Sequence, residues 1–310
     1  MTQRIRGVLS PVLTPFGPGL AADKERFIEH CKWLLSQNCG LAVFGTTSEA
    51  NSLAVRERSA LLEELVETGI DTSRMMVGVG CCSIAETVDL TSQAVKHACA
   101  GVLMLPPFYY KGVSEEGLYR YFSEVVQRVG DTRLRIYLYH IPQVAVVSIT
   151  PGLVERLLKS YPDAIAGMKD SSGDWNNTKV FLDAFAQSGF DVFVGSESFL
   201  LANMRNGGVG TISATANVNP AAIHKLYAEW QTADAEEQQA KLNVIRDAFG
   251  KYPMISALKQ TIAIYTNDPP WARVRPPLVE LSSGQSEMLT AELKTISFKM
   301  PGLKRVNATP

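Results

Sequence analysis

Val8-Leu9-Ser10-Pro11-Val12-Leu13-Thr14-Pro15-Phe16-Gly17-Pro18-Gly19 is an apolar run that ends in a turn. In a doubly wound sheet the first strand feeds a Gly-x-Gly-x-x-Gly turn that opens a helix. Thr14 to Gly19 cannot open such a helix. The other home for repeated strand–helix units is a closed barrel. Further strand-like runs lie at 40–45, 75–80, 101–107, 135–142, 164–172, 191–196 and 208–214, with the first at 8–16. Most are continuously apolar, as strands buried on both faces of a parallel sheet are.

Helical periodicity fills the gaps at 22–37, 54–69, 84–98, 114–128, 150–160, 175–188, 198–206 and 220–231. Ser83 before Ile84-Ala85-Glu86 and Ser114 before Glu115 are N-cap signals. Eight strands, each followed by a helix, predict an α/β fold, the (β/α)₈ TIM barrel, over 1–231. Helical patterns at 234–250, 252–266 and 285–295 follow, an appended C-terminal helical segment within 232–310 suited to packing or subunit contacts. The tail from 298 to 310 reads as loop.

The 310 residues, 46% hydrophobic, allow one large domain or two modest ones. Thirty basic residues face 31 acidic ones, which gives no electrostatic case for nucleic acid or anionic membrane. No apolar run reaches the roughly 18 residues that span a bilayer. Pro11 and Pro15 interrupt the N-terminal run, against a secretory signal. Cys31, Cys39, Cys81, Cys82 and Cys99 form no CxxC pair and read as small core hydrophobes. A reduced, cytoplasmic protein is the expectation.

A barrel carries its chemistry at the C-terminal ends of its strands. The second strand ends in Gly45-Thr46-Thr47-Ser48-Glu49, hydroxyls and backbone amides suited to a carboxylate or to capping a helix. The fourth runs into Pro106-Pro107-Phe108-Tyr109-Tyr110, an aromatic rim loop. The fifth, Tyr137-Leu138-Tyr139-His140-Ile141-Pro142, sets Tyr137 and Tyr139 on one face and His140 on the other. His140 reads as packing.

The sixth strand, Ala164-Ile165-Ala166-Gly167-Met168-Lys169-Asp170-Ser171, puts Ile165, Gly167, Lys169 and Ser171 on one face. Desolvation there disfavours an ammonium, and a neutral amine is what Schiff-base chemistry requires. The same lysine could instead snorkel to solvent from a strand end. The eighth strand, Gly207-Gly208-Val209-Gly210-Thr211-Ile212, lacks a phosphate cradle. The four histidines are scattered without HxH or HxxxH spacing, so no metal site is expected. A lysine among rim tyrosines and threonines points to Schiff-base catalysis on a keto acid.

The motifs GTTSE (45–49), PPFYY (106–110) with SEEGLY (114–119), YHIP (139–142), GMKDSSGD (167–174) and GGVGTISATANV (207–218) stand in fixed order. Through them the chain, from Gly7 to about Ala263, resembles the dihydrodipicolinate synthase / N-acetylneuraminate lyase family of pyruvate-dependent aldolases. The resemblance implies that Lys169 forms the Schiff base with pyruvate or another 2-keto acid, with no separate cofactor. It implies Tyr139 as general acid/base, and Thr46 and Thr47 as carboxylate binders. Thr47 would link Tyr139 to a tyrosine from a neighbouring subunit, Tyr110 or the adjacent Tyr109. Ile212 would shape the pocket, and a homotetramer built as a dimer of dimers is implied.

The sequence also departs from the family. Val144 stands where the synthases usually carry an arginine that grips the aldehyde's carboxylate, and losing that clamp weakens such a substrate. Val55 and Arg58 occupy positions where feedback lysine sites tend to use histidines, and Ser48 replaces a glycine. These departures favour a lyase acting on a 2-keto-3-deoxy sugar acid or related keto acid. The alternatives are 4-hydroxy-tetrahydrodipicolinate synthase, a keto-deoxy acid dehydratase, and a non-catalytic keto-acid-binding barrel.

Overall fold

The computed structural model describes residues 4–304. Eight parallel strands close into one barrel: β1 (Gly7–Ser10), β2 (Gly40–Val43), β3 (Met75–Gly78), β4 (Gly101–Met104), β5 (Ile136–His140), β6 (Ile165–Asp170), β7 (Asp191–Val194) and β8 (Gly210–Ile212). Closure comes from β1 pairing with β2 on one side and β8 on the other. The outer helices are α1 (Lys24–Ser36), α2 (Val55–Glu67), α3 (Ile84–Lys96), α4 (Glu115–Val129), α5 (Pro142–Ala145), α6 (Pro151–Ser160), α7 (Trp175–Phe185), α8 (Leu200–Arg205) and α9 (Pro220–Glu229). Three more follow: α10 (Ala235–Gly250), α11 (Met254–Thr266) and α12 (Ser283–Thr295).

The expected (β/α)₈ barrel with appended C-terminal helices is therefore the observed architecture. The strands are shorter than their apolar runs. After Ser10 the chain meets Pro11, and after Met104 it meets Pro106 and Pro107, which cannot donate to a ladder. The freed residues become rim loops. Ser83 and Ser114 cap α3 and α4, accepting from the N–H groups of Glu86 and Gly117. The short α5 was not expected; Pro142 starts it with its φ already helical.

Two apolar cores result. Leu9, Ala42, Met76, Leu103, Tyr137, Ala166, Phe193 and Ile212 fill the barrel, while alternate residues such as Val8, Val43, Val77 and Met168 meet the helices. Ala166, not Ile165, faces inward. Pairing with β5 runs Ile136 to Ile165 but Tyr137 to Gly167, so Ala166 is an extra bulged residue that shifts the strand's phase. Its carbonyl accepts from the Arg4 guanidinium at 3.1 Å. At Gly167 a side chain would meet the Asp191 carbonyl oxygen at 2.1 Å, so only glycine fits the crossing of β6 and β7.

Cys31, Cys39 and Cys81 are buried and Cys99 partly so, but Cys82, expected in the core, is exposed on the turn before α3. Residues 298–304 of the tail are neither helix nor strand; 305–310 and Met1 to Gln3 lie outside the described residues. Among the described residues no helix is long and apolar enough to cross a membrane.

Candidate active site

The adjacent strands β5 and β6 deliver their polar side chains as neighbours. Tyr139 of β5 pairs in register with Lys169 of β6, so both point into the C-terminal mouth of the barrel. Lys169 Nζ donates to the Tyr139 hydroxyl at 3.2 Å and lies 4.4 Å from the ring centroid. Lys169 is only 4% exposed. Its neighbour Asp170 points outward, where Ser172 N–H, Asn177 and Thr178 donate to its carboxylate. Alternation along β6 thus separates the lysine from the nearest carboxylate in sequence.

Thr46 Oγ1 stands 3.4 Å from the Tyr139 hydroxyl. The turn carrying it is stitched by Glu49 N–H donating to the Thr46 carbonyl, and by Gly45 N–H donating to Ser48 Oγ at 3.2 Å. Ser48 therefore fits where a glycine was expected. The left-handed backbone falls on Phe44 and Glu49 instead, and the serine hydroxyl adds a bond of its own. Thr47 lines the same cavity, but the hydroxyl that reaches Tyr139 is that of Thr46.

Burial by itself raises the Tyr139 phenol. The adjacent Lys169 charge and hydrogen bonds with Thr46, Lys169 and Ser171 outweigh it, and the net shift is downward. Tyr137, two residues earlier on the same face, goes the opposite way. Burial and the Asp191 carboxylate, 3.3 Å from its hydroxyl, push it up. One strand thus holds two tyrosines of opposite acidity.

The cavity holds about 220 Å³. Ile212 forms part of its wall, with Gly195, Ser196 and Gln143. Gln143 donates to the Ser171 carbonyl at 2.5 Å. His140 faces away and accepts from Ile149 N–H at 3.1 Å, a packing position. Tyr110 is not brought to this cavity. It is 72% exposed on the loop after β4, edge-on to Tyr109. Val144 is 57% exposed and does not line the cavity. Larger hollows lie elsewhere, on the outer surface and at the opposite mouth, away from Lys169. Among the described residues no three His, Cys, Asp or Glu side chains converge as a metal set.

Sequence reasoning missed Arg246 of α10, which reaches the cavity from the appended helices. It also missed Glu197, wholly buried behind the wall, which accepts from Ser213 and Thr215. Glu197 followed Gly195-Ser196 at the end of β7 and could have been flagged by position. Arg246 sits on a polar helix and carries no such signal.

A closed barrel with a polar cavity at the carboxyl ends of its strands is the architecture of an enzyme. The chain belongs to the dihydrodipicolinate synthetase family, whose model matches residues 4–296, and it is accordingly an enzyme of the lyase/synthase class. It is 32% identical over 294 residues to an uncharacterized DapA-like lyase of Chloroflexus aurantiacus, covering 94% of this chain and 97% of that one. It is 37% identical over 218 residues to a 4-hydroxy-tetrahydrodipicolinate synthase of Thermus thermophilus, covering 69% and 70%. The crystal structure of dihydrodipicolinate synthase from Agrobacterium tumefaciens matches with TM-score 0.86 at 30% identity, over 94% of this chain and 99% of that one. YagE, an E. coli K12 prophage protein of the same family solved in complex with pyruvate, matches with TM-score 0.86 at 26% identity, over 95% and 99%.

Proposed function

We propose that the protein makes or breaks a carbon–carbon bond beside pyruvate, through a Schiff base on Lys169, acting on a 2-keto-3-deoxy sugar acid or related keto acid. The observation that carries this reading is Lys169 Nζ held 3.2 Å from the Tyr139 hydroxyl inside the cavity. Lys169 adds to the C2 carbonyl carbon, water leaves, and a protonated imine forms. Tyr139, as phenolate, takes the proton of the C4 hydroxyl. The C3–C4 electron pair moves into the imine, the aldehyde departs, and an enamine remains. Protonation at C3 and hydrolysis of the imine release pyruvate and restore the lysine. Condensation is the reverse sequence. The downward shift of the Tyr139 phenol suits it to this exchange.

Thr46 and Thr47 hold the carboxylate next to the ketone, and Ile212 limits the space beside the imine. Tyr110, exposed on its own chain, acts in this reading across a subunit contact within a homotetramer. The lysine takes the place of a separate cofactor. The name of the Thermus relative favours a second reading, condensation of pyruvate with aspartate semialdehyde; an exposed Val144 in place of a cavity-lining arginine counts against it. Borohydride trapping with pyruvate, followed by mass mapping, tests the reading: an adduct on Lys169 is expected, and folded protein that yields none overturns it. Faster condensation with aspartate semialdehyde than cleavage of any keto-deoxy acid would select the second reading.

A further inference from the structure

We infer that Arg246 grips an anionic group at the far end of the substrate, so that the preferred keto acid is a dicarboxylate. This rests on the lyase reading above, and within that substrate class it selects members that end in a second carboxylate over those that end in a hydroxymethyl group.

Most polar groups around the cavity are already engaged. Asp170 is turned outward and satisfied by three donors. Tyr139 is held by Lys169 and Thr46. Among the described residues two cations line the cavity, Lys169 and Arg246, and the reacting ketone occupies the first. Arg246 reaches in from α10 with 26% of its side chain exposed. Its Nη1 stands 3.5 Å from Ser213 Oγ and 3.7 Å from Glu197 Oε2, the outer limits of a hydrogen bond and an ion pair. Among the described residues its Nε and Nη2 have no protein partner.

Glu197 takes up little of that capacity, since only its Oε2 approaches Arg246, 3.7 Å from Nη1. Ser213 donates to one of its oxygens and Thr215 to the other, which pins the carboxylate in the wall. It therefore tethers Arg246 by charge at Nη1, and Arg246 lines the cavity with its Nε and Nη2 unengaged among the described residues. A carboxylate is the group whose two oxygens match that fork, with two parallel charge-assisted hydrogen bonds. A hydroxyl offers one neutral acceptor and leaves the remaining donors unmatched.

The test is condensation of pyruvate with matched aldehydes: glyoxylate against acetaldehyde, and succinic semialdehyde against butanal. The two lengths probe the reach to Arg246. At one length or the other, the carboxylate-bearing aldehyde should be preferred roughly 10- to 100-fold in kcat/KM, the worth of a charge-assisted hydrogen bond. Arg246→Gln should collapse that preference through KM, while borohydride still traps pyruvate on Lys169. Arg246→Lys keeps a charge opposite Glu197 and serves if the Gln variant does not fold; it too should lose most of the preference, because an ammonium has no fork. A trapped adduct with no preference for either acid, or a preference that survives in both variants, overturns this inference and leaves the lyase reading standing. Absence of any adduct on the unsubstituted protein overturns both.

Discussion

Lys169 and Lys259 are both buried, at 4% and 0% exposure, and their surroundings differ in one respect that decides their roles. Lys259, on α11, meets the Glu49 carboxylate and donates to the Arg273 carbonyl at 2.7 Å, with the Phe16 ring centroid 4.2 Å away. Burial pulls its ammonium down to about 8, against the opposing pull of Glu49. Lys169 meets a phenol and a cavity, and among the described residues no carboxylate forms an ion pair with it. A lysine answered by a carboxylate and a carbonyl is a fastener. One answered by a phenol beside empty volume is, in the reading proposed above, the group that meets the keto acid. Burial alone does not distinguish them; the partner does.

The sharpest way to break the contrast is Lys169→Ala. It should abolish the pyruvate adduct and reduce turnover to background, with the melting temperature retained, because no buried counter-charge is left alone. Borohydride mass mapping checks it, and an adduct on Lys259 would erase the distinction. Tyr139→Phe should lower kcat by roughly 10²–10⁴ while still forming the adduct. In the unsubstituted protein the limb of the pH–rate profile due to this phenol should lie below an ordinary tyrosine's, and in the variant it should vanish.

Lys259→Met should do the converse. Stranding the Glu49 charge should cost about 3–5 kcal/mol in urea unfolding, while the protein that remains folded still traps pyruvate. Equal loss of adduct per folded molecule would mean that the fastener also shapes the site. The smallest effect concerns Glu57, whose bidentate partner Arg275 also donates its backbone N–H to Glu49. The Arg275 guanidinium holds the Glu57 carboxyl down at about 2. A carboxyl depressed on folding stabilises above its unfolded value near 4.5, and that contribution fades as pH falls toward 2. Acid melting curves of Glu57→Gln should therefore converge with those of the unsubstituted protein at the low end of that window. Curves that stay parallel would remove Glu57 from the network.

The barrel was legible because strands buried on both faces must be apolar along their length, and eight such runs recur between helical periods. Lys169 and Tyr139 were legible because each stands near the carboxyl end of its run. What stayed hidden is set by tertiary approach. Glu49 and Lys259 are 210 positions apart, and only the docking of α11 against the turn after β2 makes them a pair. A lysine within the apolar stretch 254–266 was a usable signal that a partner awaited it. The choice of Thr46 over Thr47 as the neighbour of Tyr139 depends on the turn's exact backbone, with its left-handed residues at Phe44 and Glu49. The inward turn of Ala166 was hidden because alternation cannot reveal an inserted residue.

That inserted residue bears on how such a strand can change by insertion and deletion over generations. Lys169 takes its direction from Tyr139 beside it, not from counting forward from Ile165. Loss of the Ala166 codon would restore plain alternation from Ile165 through Gly167 to Lys169 and leave the lysine facing inward. Loss of the Met168 codon would not, because it falls between Lys169 and the glycine that seats the strand against β7. A change of length at the start of the strand should therefore disturb the direction of Lys169 less than one within its last few positions.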